Sequence, residues 1–181
     1  MKTAETTKWV IDTAHTKIGF KVKHLMISSV QGYFKEFEGQ ITTEGNNFTT
    51  ACISVSFNSA SIYTEVADRD KHLKSADFLD VEKYPKMTFE STGVKDLGDD
   101  VYELTGNLTI KGISKKVVLS IEYGGLVTDP WGNLKAGFSL TGKVNRKDWG
   151  LIWNATIESG GVLVGDEVKI LCDIELTKMA S

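Results

Sequence analysis

The chain has few of the residues that staple, break or metallate a small fold. Its 181 residues include two cysteines, two prolines and three histidines. Cys52 and Cys172 show no metal-ligand spacing, so both are read as free thiols, buried or half-buried. Pro85 and Pro130 stand beside 17 glycines, a balance that suits twisted sheets with tight turns and argues against disorder. Three scattered histidines do not make a zinc site, and no metal or other cofactor is expected. Gly-x-Ser-x-Gly, P-loop and His-Glu-x-x-His patterns are missing, so the familiar hydrolase, nucleotide and metalloprotease signatures are excluded.

Charge of one sign is also scarce. The net charge is −3, with acids and bases interspersed, and no basic face is offered to nucleic acid. No window approaches the roughly 18 apolar residues of a membrane-spanning helix, which leaves only transient membrane contact as an expectation. Residues 1–8 lack the apolar core of a secretory leader and read as a flexible N-terminal segment. The expected location is therefore cytoplasmic, and residues 9–181 are expected to form one domain.

What the chain has in abundance is alternation. Ile18, Phe20, Val22 and His24 share one parity, and Lys17, Lys21 and Lys23 the other. The same period of two runs through Ala51 to Phe57, Tyr102 to Ile110, Val117 to Tyr123, Leu134 to Val144 and Val168 to Leu176. Weaker signals at 32–43 and 86–95 complete eight predicted strands, with the others at about 15–24, 50–58, 101–111, 115–124, 133–144 and 167–177. Phe34 and Phe37 fall on opposite parities, which predicts a kink near Lys35 and Glu36. Glycine, asparagine and aspartate turns separate most neighbours, so a meander is expected. A closed barrel or a two-sheet sandwich would each hide the eight apolar faces; long strands joined by hairpins favour the barrel. Cys52 lies on a polar parity and Cys172 on an apolar one, which places them on opposite sheet faces and rules out a disulfide.

Two segments do not alternate. In the first, 58–85, Thr64 is a candidate cap for a helix over 65–73, and Ser75 for a second turn carrying Phe78 and Leu79. Asp68 to His72 is read either as a polar clasp at a barrel mouth or as a solvated helix face. The second segment, 145–166, is rich in tryptophan and glycine. There Arg146 is expected to form a structural ion pair with Asp70 or Asp77. Gly39, Gly106, Gly142, Ala51 and Ala136 occupy inward positions, either leaving room for a ligand or simply letting the strands coil.

Trp9-x-Ile11-Asp12-x-x-His15-Thr16-x-Ile18-x-Phe20-x-Val22-x-His24 resembles the opening of the YceI family. Arg69-Asp70-x-His72-Leu73-x-Ser75-x-Asp77-Phe78-Leu79-Asp80, followed by Tyr84-Pro85-x-Met87-x-Phe89, extends the likeness. So do Gly106 to Ser114 and Asn145-Arg146-Lys147-Asp148-Trp149-Gly150. The resemblance implies a lipocalin-like barrel, and with the strand pattern the expected fold is all-β: an eight-stranded antiparallel barrel with a short helical insertion between strands 3 and 4. The resemblance also implies a non-catalytic carrier or store for a long polyisoprenoid lipid, such as a polyprenyl quinone or its precursor. Many such relatives are periplasmic.

The residues expected to line the lumen are Phe20, Val22, Phe34, Phe37, Phe57, Phe89, Leu104, Leu108, Phe138 and Leu140. His24, Asp70, His72 and Arg146 are candidates for the mouth and a polar headgroup, and no catalytic residue is assigned. Two alternatives stay open. One is an enzyme of isoprenoid or quinone chemistry that uses a His/Asp pair. The other is a filled barrel whose Trp131 or Trp153 forms a contact or homodimer surface.

Overall fold

Each alternating segment has one apolar face, and in the computed structural model these faces turn inward around a common axis. The structure describes residues 3–158 and 160–180. In chain order the strands are β1 (Thr6–Ile11), β2 (Lys17–His24), β3 (Ser28–Phe34), β4 (Phe37–Glu44), β5 (Asn47–Asn58) and β6 (Ile62–Tyr63). Helix α1 (Ala67–Lys74) follows, then β7 (Lys86–Gly98), β8 (Val101–Ile110), β9 (Ile113–Thr128), β10 (Leu134–Asn145) and β11 (Val164–Lys178). All the pairings are antiparallel. They run β1–β4–β5–β7–β8–β9–β10–β11, and β11 returns to β1, so eight strands close into a barrel. A barrel, not a sandwich, therefore hides the apolar faces.

Closure has an economical geometry. β1 and β2 lie end to end along one edge of β11: Leu176 to Lys178 face β1, and Val164 to Asp173 face β2. A 3₁₀ turn, Thr13–His15, makes the corner between them, and the Asp12 carboxylate accepts the Ala14 N–H at 3.1 Å. The segment predicted as one strand at 32–43 is likewise divided into β3 and β4 at Lys35 and Glu36, where the parity of Phe34 and Phe37 broke. β3 pairs with β2 and the short β6, while β4 pairs with β1 and β5. Past the kink the wall is continued by the excursion that carries α1.

Two local expectations need correction. Thr6, Thr7 and Lys8, assigned above to a flexible segment, belong to β1 and pair with Glu44, Thr43 and Thr42. Exposed Thr6, Lys8 and Val10 alternate with buried Thr7, Trp9 and Ile11, the pattern of a strand with one face in the core. Met1 and Lys2 of that segment lie outside the described residues. The helix begins at Ala67, and Val66 occupies its N-cap without a side-chain bond; Thr64 hydrogen-bonds elsewhere. Asp68 and Asp70 in the first turn compensate through the helix dipole.

Two apolar clusters fill the ends of the barrel differently. At one end Trp9, Ile11, Ile41, Phe48, Ala136 and Leu176 pack densely; Trp9 is 1% exposed and Ala136 0%. This end is the floor. Towards the other end, Phe34, Phe57, Met87, Phe89, Leu104, Leu119 and Trp149 line a wider section.

Outside the floor, the Lys135 ammonium lies 2.9 Å from Asp12 and 3.7 Å from Glu175, and it donates to the Thr177 hydroxyl at 2.7 Å. His15 Nδ1 is 2.9 Å from Asp12. Asp12, His15 and Glu175 are close enough together to hold a metal ion, but the lysine already supplies the positive charge there. The Lys135 hydrogen bond holds the Asp12 carboxyl down at about 2. His15 is raised by the same carboxylate, so its share of stability is present below about pH 6.5 and fades as pH rises through the raised value. Asp12 acts in the opposite sense: its share is full above about pH 4 and is lost as pH falls towards 2. Lys135→Met is therefore expected to cost on the order of 1 kcal/mol at pH 6. Denaturant titrations should show that difference shrinking towards zero as the pH approaches 2.

Candidate lipid-binding cavity

The inward faces do not meet at the centre. They enclose a cavity of about 610 Å³ that runs from the floor to the opposite end. Its wall is aliphatic and aromatic along nearly its whole length. Charged and imidazole side chains border it only at the mouth, where Lys23, His24, Asp68, Arg69, His72 and Arg146 gather. A barrel of eight strands is wide enough to hold one small ligand when its side chains do not fill it, and a filled barrel is excluded here.

Of the ten residues expected in the lumen, Phe20, Val22, Phe34, Phe57, Phe89, Leu104, Leu108, Phe138 and Leu140 border the cavity. Phe37 does not. It lies directly across from Phe57 and packs into both apolar clusters, thickening the wall. The inward glycines do not make the cavity. A Cβ on Gly106 would sit 2.4 Å from the Phe89 ring, and one on Gly142 would sit 2.4 Å from a Leu119 methyl. The space of each missing side chain is taken by its neighbour, so Phe89 and Leu119 lie flat against the wall.

The mouth is built from the two excursions. Asp70 is buried beneath α1, where its carboxylate accepts the Thr64 N–H at 2.8 Å and the Thr64 hydroxyl. Arg69 completes the knot, donating to the Thr64 hydroxyl at 2.8 Å and to the Thr64 carbonyl at 2.6 Å. Asp70 thus holds the helix in place and does not border the cavity, contrary to its expected place among the mouth residues. Asp68, Arg69 and His72 do face it, so the clasp reading describes this part of α1. His72 Nε2 is 2.8 Å from the Asp77 carboxylate, and the ring stands edge-on to Trp153 at 4.6 Å and to Phe78 at 5.1 Å. Trp153, expected as an exposed contact residue, is turned onto the cavity, whereas Trp131 is 83% exposed at the β9–β10 turn.

Arg146 closes the other side. It opens a 3₁₀ turn, Arg146–Trp149, that is capped by Asn145 and ends at Gly150, whose φ of 73° favours glycine. The guanidinium is 4% exposed. It donates to the carbonyls of Gly165 (2.8 Å), Leu151 and Trp153 (2.9 Å), and lies 3.7 Å from Asp166. Its carboxylate is therefore Asp166, not Asp70 or Asp77. A loop with no strand partner has carbonyls to satisfy, and one buried guanidinium answers several of them. Asn154 pins the loop's neck, accepting from the Leu163 and Val164 N–H groups and donating to the Val164 carbonyl at 2.8 Å. Neither Asn154 nor the cavity-lining Phe48, Phe78 and Trp149 was singled out by alternation, because they lie on bulged or irregular segments. Exposed Met26, Ile27 and Ile152 lie beside the opening, Ile27 at 83% exposure.

An antiparallel barrel with a closed floor, a polar mouth and an apolar lumen defines a class of small-ligand container. The YceI-like domain model matches residues 9–176, and the chain belongs to the YceI family. It is 40% identical over 161 residues to Protein YceI of Salmonella newport, covering 89% of this chain and 81% of that one. A solved YceI protein of Campylobacter jejuni is 36% identical, with a TM-score of 0.75 and coverage of 93% and 96% of the two chains. The fold is shared with BcnA of Burkholderia cenocepacia at 22% identity, a TM-score of 0.79 and coverage of 91% and 98%. It is also shared with a polyisoprenoid binding domain from Saccharophagus degradans at 12% identity, a TM-score of 0.70 and coverage of 94% and 98%.

Two outcomes follow for side chains around the cavity. Arg146→Met leaves several buried carbonyls without donors and should cost about 2–4 kcal/mol, with amide exchange rising across 151–165. Cys172 borders the lumen, and burial pushes its thiol up to about 11. Cys52 is exposed. A maleimide at neutral pH should therefore label Cys52 alone in the folded protein and both cysteines in denaturant, as read by intact mass.

Proposed function

We propose that this protein binds a long polyisoprenoid lipid in the barrel lumen and sequesters or carries it, without catalysing a reaction on it. The observation that carries this reading is the distribution of polarity: about 610 Å³ of apolar cavity with charged groups confined to one end. A ligand matching it has a long hydrocarbon tail and a single polar end. Each buried methylene-sized group contributes about 0.8 kcal/mol. A chain of many such groups therefore outweighs the cost of association and of ordering its own rotors. That the Saccharophagus domain of the same fold is a polyisoprenoid binding domain supports the same class of ligand.

In this reading the tail lies along Phe20, Val22, Phe34, Phe57, Phe89, Leu104, Leu108, Phe138 and Leu140. His24, His72, Lys23 and Arg69 meet the polar end. Arg146 and Asp70 shape that end through the main-chain and Thr64 bonds described above. The His72–Asp77 contact orients the imidazole at the opening and is read as a recognition element, not an acid–base pair. The greasy side chains beside the opening, Met26, Ile27 and Ile152, suit brief contact with the membrane where such lipids reside.

The test is organic extraction of protein purified from its native host, followed by mass spectrometry. A prenyl lipid at close to one per chain is the expected result. Lipid-free protein in repeated preparations, together with no uptake of added polyprenol, would overturn the proposal. Uptake should also change the emission of Trp149 and Trp153, which border the cavity.

A further inference from the structure

The floor of the cavity is a packed cluster of rings and aliphatic side chains, and its construction bears on which chain lengths fit. Phe48 stands where the cavity stops. Its ring borders the lumen together with Phe138 and Ala51, while Trp9 and Ala136 lie beyond it, fully buried and not in contact with the open space. Phe48 is held by aromatic contacts on several sides. Its centroid is 5.1 Å from Trp9, 4.9 Å from Phe138 and 5.7 Å from Tyr123, and Tyr123 in turn is 5.2 Å from Phe138. Trp9 is itself locked, donating its indole N–H to the Thr43 hydroxyl at 2.9 Å. That hydroxyl donates onward to the Gly45 carbonyl at 2.6 Å.

The backbone explains why Phe48 points inward. The register between β4 and β5 shifts between Thr42 and Glu44, so the stretch 48–51 of β5 carries extra residues. Thr50 stabilises the irregularity, its hydroxyl accepting the Glu44 N–H at 2.8 Å and donating to the Asn47 carbonyl at 2.6 Å. Phe48 and Ala51, of opposite parity, consequently both face the lumen. A large ring and a small methyl lie side by side at the blind end.

We infer that Phe48 is the chain-length stop of this protein: it ends the lumen at a fixed depth, and Ala51 leaves the last space that a hydrocarbon tail can occupy. The inference rests on the polyisoprenoid reading above. Because the charged groups lie only at the mouth, a ligand enters tail first. The tip of the tail then meets a floor of packed rings that cannot deform without breaking several contacts at once. Tails that reach Phe48 are fully enclosed, and longer ones must leave part of their length in water.

The experiment offers the purified protein a ladder of all-trans polyprenols of increasing length. Excess ligand is removed, and the retained species are extracted and identified by mass spectrometry. The parent should retain chains up to a defined limit. Phe48→Ala opens space behind the stop and should move that limit up by about one isoprenoid unit. Ala51→Leu fills the last space and should move it down by a similar step. Should Phe48→Ala fail to fold, judged by near-ultraviolet circular dichroism, Phe48→Leu and Ala51→Leu keep the comparison intact. A limit that stays at the parent's value in folded variants of both positions overturns the assignment of the stop and leaves lipid binding standing. A parent that retains no polyprenol of any length overturns the lipid reading and the stop together.

Discussion

A strand that is apolar on one face has to hide that face, and in this molecule the demand is met by closing the sheet on itself. The rest of the architecture follows from that closure. Eight strands set the width of the ring, and the width leaves more room than the inward side chains fill. Neighbouring side chains have already absorbed the economies of small residues, with Phe89 folded over Gly106 and Leu119 over Gly142. What remains empty is therefore a continuous axial space, not a set of separate pits. Its contents face water only at one end, because the other is plugged by the packed cluster around Trp9 and Phe48.

The two ends obey different physics. The floor is held by apolar packing and a single buried indole bond. The mouth is built of irregular chain, whose main-chain groups have no strand partners, and it is held by charged side chains that serve those groups. Arg146 gathers carbonyls from 151 to 165, and Asp70 with Arg69 gathers the polar atoms of Thr64. These ionic side chains hold the mouth together, and Arg69 and Arg146 among them also border the cavity. Lys23, His24 and His72 border the same end of the cavity and take no part in these main-chain and Thr64 bonds.

Much of this was legible in the sequence, and the exceptions have specific causes. Regular alternation located the strands from β8 to β11 closely, since a buried face on every second residue leaves little freedom of register. The kink at Lys35 and Glu36 announced itself in the mismatched parity of Phe34 and Phe37. Even so, parity could not say that Phe37 would pack within the wall instead of bordering the lumen. β1 was overlooked although Thr7, Trp9 and Ile11 alternate, because six residues are a short signal. Phe48 was hidden by the register shift that inverts parity in β5. The partner of Arg146 could not be read at all. It is settled by main-chain carbonyls in a loop, and carbonyls carry no mark in the sequence.

The pairing that completes the ring joins the first and last strands of the barrel: Trp9, Val10 and Ile11 meet Lys178, Thr177 and Leu176. Everything between must be made before these residues can meet, and contacts so distant along the chain are slow to form. Until the last strand emerges from the ribosome, a nascent chain displays its greasy inner wall as an open sheet with unpaired edges. The side chains that make the finished molecule a container thus make its biosynthesis hazardous. The interval between synthesis of β10 and docking of β11 is the moment at which this protein is most exposed to misassembly.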